Sequence, residues 1–580
     1  MNPSTAQARV LVDECIRCGI TDAVVAPGSR STPLAIALAE AEARGEIALH
    51  VRIDERSAGF LAVGLGKVSG VPAIVVTTSG TAAVNLHPAI VEADASGVPL
   101  IAMTADRPPQ LRDVGANQVI VQTPLYGSSV RARHDLAVAD LADPVAANRY
   151  WRSCIARAVA AATDSLDPGP VHLNVPFAEP LVPDADTGLL EGRPDDRPWT
   201  ADARLVAGMS TPLDDVLASL TGSGGVPGRG IIVVGDHDDA EAVGLVDELA
   251  DAIGWPVIGE PSGNVAACDT VLSHGPLLLA DPDFAAEHIP DIVVTVGRVG
   301  LSRPVLRMIA RAGMHVAVDH HSEWSDPTRT ADLVVASVPL PPEEAAIDEA
   351  WLESWRRADL LAAAAVETAL AAEPALTGME VARTVAQAVP NGGMLFVGPS
   401  WPARQLMTVA STMVRDGYVL GNRGTSGIDG CISTALGAAI AFQRQEGSGA
   451  IALVGDLTFL YDSNGLLVGP DDDVPDLVFV VSDNDGGGIF SQLEQGAPEF
   501  DGVFERVFGT PHGLDLTTLA QSLGVPAVGV SSAEALREAI DAAVDAGGLQ
   551  VIVARTCSRS EEARLLTDLQ RAVGQALGSA

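Results

Sequence analysis

Positive charge is scarce in this chain, and lysine is all but missing: Lys67 is the only one in 580 residues, so arginine supplies the rest. With a net charge of −39, the sequence excludes the extended basic surface that a nucleic acid or an anionic membrane requires. An acidic protein that binds anions must do so with locally clustered arginine. No apolar run approaches the roughly 18 residues needed to span a bilayer. The opening residues MNPSTAQARVLVDE lack a basic region followed by an apolar core, so a cytoplasmic protein without membrane insertion is expected. Six cysteines are too few to frame a chain of this length with disulfides. Cys15 and Cys18 have CxxC spacing, but no second pair or histidine cluster accompanies them. They sit in the amphipathic stretch ARVLVDECIRCG, which Gly19 would cap, so helix packing is their expected role. Short-period repeats are absent. So is a GxGxxG turn after a strand, which counts against a dinucleotide-dependent oxidoreductase.

What is present is a long alternation of apolar runs and amphipathic stretches. At 47% hydrophobic and 19% charged residues the chain is globular, and its length exceeds one hydrophobic core. Runs at 22–27, 48–53, 73–78, 99–105 and 171–177 alternate with helical stretches from about residue 5 onward. A second set runs through 230–235, 255–260, 291–298 and 315–320, after the Gly-rich stretch 221–230. An Ala-rich helical connector at about 345–390 leads to a third set at 394–400, 418–424, 451–454, 477–481 and 549–556, with a helix from Cys431. This rhythm predicts an α/β protein of three doubly wound parallel-sheet domains, at 1–185, 203–345 and 375–580. The central one reads as a scaffold.

The most informative stretch is 451–490. An apolar strand ends at Gly455-Asp456, a helical stretch follows, and a second strand stops at Ser482-Asp483-Asn484-Asp485-Gly486. In an open parallel sheet both strand ends face one crevice, so Asp456 and Asn484 are expected together. A carboxylate, an amide oxygen and the Gly486 carbonyl are hard oxygen donors suited to Mg²⁺ or Mn²⁺ carrying a diphosphate. Ordinary turn chemistry also accounts for Gly, Asn and Asp at two strand ends.

This stretch resembles the thiamine diphosphate (ThDP) motif, with Leu457 standing where many members have Gly and Asp483 replacing the first Asn. The blocks APGSRSTPL (26–34), DER (54–56), TSGTAAVNLHPA (78–89), TADRPPQLRDVGANQ (104–118), PFAEPL (176–181), NRGTSGIDG (422–430) and GGGIF (486–490) narrow the likeness. They resemble the family of 2-succinyl-5-enolpyruvyl-6-hydroxy-3-cyclohexene-1-carboxylate (SEPHCHC) synthases of menaquinone biosynthesis. The resemblance covers most of the first and third domains and only weakly the central one. It implies a pyrimidine-binding, a central and a diphosphate-binding domain of the pyruvate oxidase type. It also implies decarboxylation of 2-oxoglutarate and 1,4-addition of the resulting carbanion to isochorismate.

By the same resemblance Glu55 is the catalytic carboxylate that activates the aminopyrimidine, and burial would raise its pKa for that task. First-turn helix charge beside Asp54 is the plainer reading of Glu55. Pro27, Gly28, Ser79, Gly80, Ile428, Gly455, Asp456, Leu457, Asn484, Gly486 and Gly487 would line the cofactor. Ser29, Arg30, Arg107, Asn117, Gln118, Arg303, Ser400, Arg404 and Arg423 would hold the substrates, with Ile489, Phe490 and Leu493 walling the pocket. Independently of family, Arg30, Arg107, Arg404 and Arg423 each fall in a turn after a predicted strand, where a guanidinium fork can hold a carboxylate. Both substrates are dicarboxylates. The likeness further implies a homodimer or homotetramer with active sites between subunits. Two alternatives stay open: another ThDP-dependent 2-oxoacid decarboxylase or acetolactate-type carboligase, and a ThDP-fold binding protein without turnover.

Overall fold

The computed structural model describes residues 2–184, 188–200, 211–221, 225–226, 228–239, 241–342 and 347–579. The expected boundaries at 185, 203 and 345, and part of the Gly-rich stretch 221–230, lie outside the described residues. Three sheets form, and in each the strands run parallel. The first contains β1 (Asp22–Val25), β2 (Ala48–Val51), β3 (Ala73–Thr77), β4 (Leu100–Asp106), β5 (Ala132–Asp135) and β6 (Pro170–Pro176), in the order β2-β1-β3-β4-β6-β5. The second contains β7 (Gly230–Val234), β8 (Val257–Gly259), β9 (Ile292–Val296), β10 (His315–Val318) and β11 (Leu333–Val335), in the order β11-β10-β9-β7-β8. The third contains β12 (Met394–Val397), β13 (Tyr418–Leu420), β14 (Ala450–Gly455), β15 (Leu477–Asp483), β16 (Ala527–Val530) and β17 (Leu549–Arg555), in the order β13-β12-β14-β15-β17-β16. Counted from its own first strand, the third sheet repeats the order of the first.

Parallel strands need crossover connections, here helical, that cover the sheet faces, which is why central strands read as unbroken apolar runs. All five residues of β3 and all seven of β4 are buried. Three strands were not legible as apolar runs: β5, β11 and β16. Each is a short, partly buried sheet edge: β5 (ARHD) is polar, and β11 (LVV) and β16 (AVGV), though apolar, span only three and four residues. The Ala-rich connector resolves into two helices, Glu349–Ala371 and Gly378–Ala388. Among the described residues no helix is long and apolar enough to cross a membrane.

The chain divides into two compact units. The first comprises Met1–Val206 with Asn422–Glu446 and Leu460–Pro475. Its helix Glu55–Ser69 opens on Asp54, whose side chain accepts from the Arg56 and Ser57 amides, and closes on Gly70 at φ +68°. That helix packs on Cys431–Arg444 backbone to backbone. A Cβ at Gly64 would fall 2.1 Å from the Thr434 carbonyl oxygen, and one at Gly437 2.2 Å from that of Leu61, so both positions require glycine. Arg152 is fully buried between helices Pro3–Arg17 and Pro144–Ala162 and donates to Asp13 at 2.6 Å and Glu14 at 2.8 Å. Cys15 is buried on the first of these helices and Cys18 caps it. All six cysteines are free, and burial pushes the Cys18 thiol up to about 12, in keeping with a packing role.

The second unit comprises Ala207–Gly421, Gly447–Phe459 and Asp476–Ala580, and holds the second and third sheets. One core cluster runs through both, from β7 and β9 through helices Glu349–Ala371 and Gly378–Ala388 to β14, β15 and β17. Trp351 and Trp355 anchor it, their rings 5.7 Å apart, with Phe284 edge-on to Trp355 at 5.1 Å. Burying side chains of this size contributes roughly 2–3 kcal/mol each.

Candidate active site

In the second unit the loops after β14 and β15 close on one carboxylate. β14 runs directly into the helix Asp456–Tyr461, without the intervening turn that the sequence predicts, so Asp456 opens the helix. Its Oδ2 accepts the backbone N–H groups of Gly486 at 2.7 Å and Asn484 at 3.2 Å, while Oδ1 accepts that of Leu457 at 2.6 Å. Gly486 adopts φ +133°, and a Cβ there would lie 2.0 Å from the Gly509 carbonyl oxygen. Only glycine fits, and it aims the amide at Asp456. Burial, and then the neighbouring Asp483 charge, push the Asp456 carboxyl up to about 6.

The side-chain oxygen of Asn484 is buried and has no hydrogen-bond partner. An unmatched acceptor beside a buried carboxylate is what a hard cation requires, so these residues fit a divalent metal. The Gly486 carbonyl accepts the Gly488 N–H at 2.9 Å and keeps its second lone pair. Sequence reasoning missed two neighbours. His512 Nε2 lies 3.5 Å from Asp456, 3.6 Å from Asp483 and 3.7 Å from Asp485. Arg559 donates to the carbonyls of Asn484 and Asp485 and pairs with Glu505. A lone His in a turn 28 residues beyond Asn484, and an Arg opening the last helix, carry no spacing that ties them to the motif.

Around this centre Gly487 donates its N–H to the Gly509 carbonyl at 2.7 Å. Ile489 and Phe490 lie in the short helix Gly488–Gln492, half-buried, with Phe490 5.7 Å from the Phe508 ring, and Leu493 follows it. A cleft of about 760 Å³ opens beside Asp483, Asn484 and Asp485, with Phe504, Arg555 and Arg559 among its walls. Ile489, Phe490 and Leu493 do not line it. Ser400, at φ +71°, precedes the helix Trp401–Val409, and its carbonyl accepts from Arg404 at 3.0 Å. Arg303 opens the helix Arg303–Ile309 and is exposed there.

The first unit gathers another set at the carboxyl ends of β1, β3 and β4. Gly28 abuts Thr78, whose side chain would lie 2.3 Å from an added Cβ. The Arg30 amide donates to Thr78 Oγ1 at 3.3 Å and its guanidinium to the Phe177 carbonyl at 3.0 Å, while its Nε is buried without a partner. Arg107 donates to Ser79 Oγ and to the Gln118 carbonyl, the latter at 3.2 Å. Gln118, at φ +58°, returns a bond from Nε2 to the Ser79 carbonyl at 2.8 Å, and Gly80 N–H reaches Gln122 at 3.2 Å. Burial, followed by the like charge of Arg30, lowers the pKa of Arg107. Two guanidinium groups repelling each other at strand ends have the chemistry to hold an anion between them. Pro27, Ser29 and Asn117 are exposed beside them.

Glu55 is the first residue of its helix and accepts from Asn85 Nδ2 at 3.4 Å. It is half-buried on the first turn of its helix, between half-buried Asp54 and Arg56, and so less enclosed than the burial expected for it. Arg423 and Ile428 lie in the loop before Cys431, which Glu92 pins by accepting from the Gly424 N–H at 2.9 Å and the Thr425 N–H at 2.7 Å.

Comparison with known proteins matches three family models to this chain. They are described as the N-terminal thiamine pyrophosphate (TPP) binding domain of thiamine pyrophosphate enzymes (residues 6–125), the middle domain of thiamine pyrophosphate (196–397) and the C-terminal TPP binding domain (408–554). A protein of Thermobifida fusca is 48% identical over 582 residues, covering 100% of both chains. One of Saccharopolyspora erythraea is 46% identical, covering 90% of this chain and 91% of its own. One of Nocardia farcinica is 43% identical, covering 95% and 96%. All three are named 2-succinyl-5-enolpyruvyl-6-hydroxy-3-cyclohexene-1-carboxylate synthase.

Proposed function

Because this chain belongs to the SEPHCHC synthase family of thiamine pyrophosphate enzymes, we propose that the constellation at Asp456 and the one at Arg30 and Arg107 divide that reaction between them. The enzyme decarboxylates 2-oxoglutarate and adds the resulting four-carbon unit to isochorismate, giving SEPHCHC and CO₂ in menaquinone biosynthesis. ThDP supplies the electron sink that makes the decarboxylation possible.

The residues of the chain provide orientation, charge and proton placement. Asp456, the Asn484 side-chain oxygen and the Gly486 carbonyl hold Mg²⁺ or Mn²⁺, and with it the cofactor's diphosphate. The observation that carries this reading is the unmatched Asn484 oxygen beside a buried carboxylate that two backbone amides hold in place. Gly455, Leu457 and Gly487 border that pocket, and Ile428 with Pro27, Gly28, Ser79 and Gly80 packs along the rest of the cofactor. Glu55 would hold the aminopyrimidine through a hydrogen bond to its ring nitrogen and serve as the carboxylate that takes and returns a proton there.

Arg30 and Arg107 hold substrate carboxylates, joined by Arg404 and Arg423, and by Ser29, Asn117, Gln118, Arg303 and Ser400. Ile489, Phe490 and Leu493 exclude water from the addition step. The working form is a cytoplasmic homodimer or homotetramer acting on small molecules, with each site shared by two subunits.

The test is incubation of the protein with 2-oxoglutarate, isochorismate, ThDP and Mg²⁺, read by mass spectrometry. SEPHCHC and one CO₂ per turnover are expected. Succinic semialdehyde alone, or an acetolactate-type product from pyruvate, would replace this reading by a different carboligase.

A further inference from the structure

We propose that the central sheet carries a second metal site, built from Asp238, His320 and His321, for a divalent first-row transition ion such as Zn²⁺. Asp238 lies in the loop after β7, and the two histidines lie in the turn after β10. These strands flank β9, so the three side chains meet at the carboxyl edge of a parallel sheet, where open α/β sheets bind ligands. Their donor atoms all fall within 4.8 Å of one another.

The distances fit an intervening ion better than direct pairing. Asp238 Oδ2 is 3.6 Å from His321 Nε2, and Oδ1 is 3.7 Å from His320 Nε2, both too long for hydrogen bonds. Two metal bonds of about 2.05 Å at the tetrahedral angle separate their donors by about 3.3 Å, so the two Asp238–histidine separations need to shrink by only a few tenths of an ångström. The Nε2 atom of His321 is buried and has no hydrogen-bond partner; Asp238 and Asp319 on either side raise the ring to about 9, so an ion takes this position by displacing a proton.

The support behind His321 is also in place. Its Nδ1 donates to Asp319 Oδ1 at 2.7 Å, which keeps a ring proton on Nδ1 and makes Nε2 the nitrogen that ligates once its own proton is displaced. Asp319 is held in turn by the His321 and Ser325 amides at 3.0 and 2.8 Å. A carboxylate behind a ligating histidine is the usual outer partner of a zinc site. Imidazole and carboxylate donors select a transition ion over Mg²⁺. Three protein ligands leave the fourth position for water, and the ion would clip the loop after β7 to the turn after β10.

The experiment uses tag-free, full-length protein, stripped of metal and then saturated with Mg²⁺ and ThDP so that the Asp456 site is covered, and titrated with Co²⁺. One equivalent per chain should bind with the strong visible absorption of four-coordinate Co²⁺, and Zn²⁺ should displace it. His321→Ala, His320→Ala and Asp238→Ala should each weaken binding by roughly a hundredfold or more, and Asp319→Asn by about 10- to 100-fold. Asp238 is exposed, so its variant reports even if a histidine variant fails to fold. Absence of a stoichiometric Co²⁺ spectrum, or a spectrum unchanged in Asp238→Ala, overturns the proposal.

Discussion

The Gly486 amide donates to Asp456 Oδ2 at 2.7 Å across 30 residues of sequence, joining the ends of two adjacent parallel strands. That bond, with the one from Asn484, fixes the carboxylate before any metal arrives. Asp456→Ala therefore removes the anchor of the loop as well as the proposed metal ligand. It should abolish the Mg²⁺ dependence of ThDP binding, measured by calorimetry with and without metal. A variant that still binds ThDP in a Mg²⁺-dependent way would return the residues around Asp456 to simple turn chemistry.

In the proposed metal site, proton and metal would compete for that same carboxylate. Burial raises Asp456 to about 6, so above this value it is ionised and ready to bind, and below it a proton must be displaced first. Apparent Mg²⁺ affinity should be flat above about pH 7 and fall about tenfold per unit below 6. Titrating Mg²⁺ at fixed ThDP between pH 5 and 8 measures this. An affinity that does not change between pH 5 and 6 contradicts the assignment.

How far the sequence could be read follows from what each feature looks like in one dimension. Buried central strands such as β3 and β15 were legible because both faces are covered and every residue is apolar or small. The edge strands β5, β11 and β16 were not: β5 is polar with half its residues exposed, and β11 and β16 are runs of only three and four residues. Asp456, Asn484 and Gly486 could be located because strand ends in a parallel sheet share a crevice. His512 and Arg559 reach the same place through long-range packing that leaves no spacing rule. The pairing of Arg30 with Arg107 was only half visible: each sat in a turn after a strand, but their mutual repulsion depends on β1 and β4 flanking β3.

That repulsion makes the two arginines sensitive to what lies between them. Arg107→Ala or Arg30→Ala should lower kcat/KM for a dicarboxylate substrate by roughly 2–5 kcal/mol of transition-state stabilisation, the usual loss when one partner leaves a desolvated charge pair. ThDP affinity should barely move. Steady-state kinetics with each substrate varied in turn separates these effects, and unchanged kcat/KM for both would make the pair structural.

Asp462 gives a stability prediction with a definite sign. It is fully buried, accepts from the Ser433 amide at 2.7 Å and Ser57 Oγ at 3.1 Å, and burial raises it to about 6. Between its unfolded value of 3.8 and 6, the folded chain holds a proton that the unfolded chain has lost, so stability falls as pH rises through that window. Between pH 5 and 8 this group should cost about 1.5 kcal/mol. Asp462→Asn cannot ionise, so its stability relative to the parent should improve by that amount over the same range, followed as the difference in thermal midpoint. A difference that stays constant with pH would mean Asp462 is ionised throughout.

The proposed sharing of each site between subunits leads to a complementation test. Glu55 belongs to the first unit of the chain and Asp456 to the second. If the Glu55 of one subunit serves the Asp456 of its partner, Glu55→Gln and Asp456→Ala homodimers should each be nearly inactive. In a mixed dimer both lesions then fall in one site, and the other site is wholly parental. Subunit exchange should restore activity up to about half the parental value per heterodimer, if the two sites act independently. If instead both residues serve one site within a single chain, every site in the mixture carries a lesion and no activity returns. Heterodimer formation has to be measured alongside, by native mass spectrometry of differently tagged subunits. Heterodimers that form without recovery therefore reject the shared site.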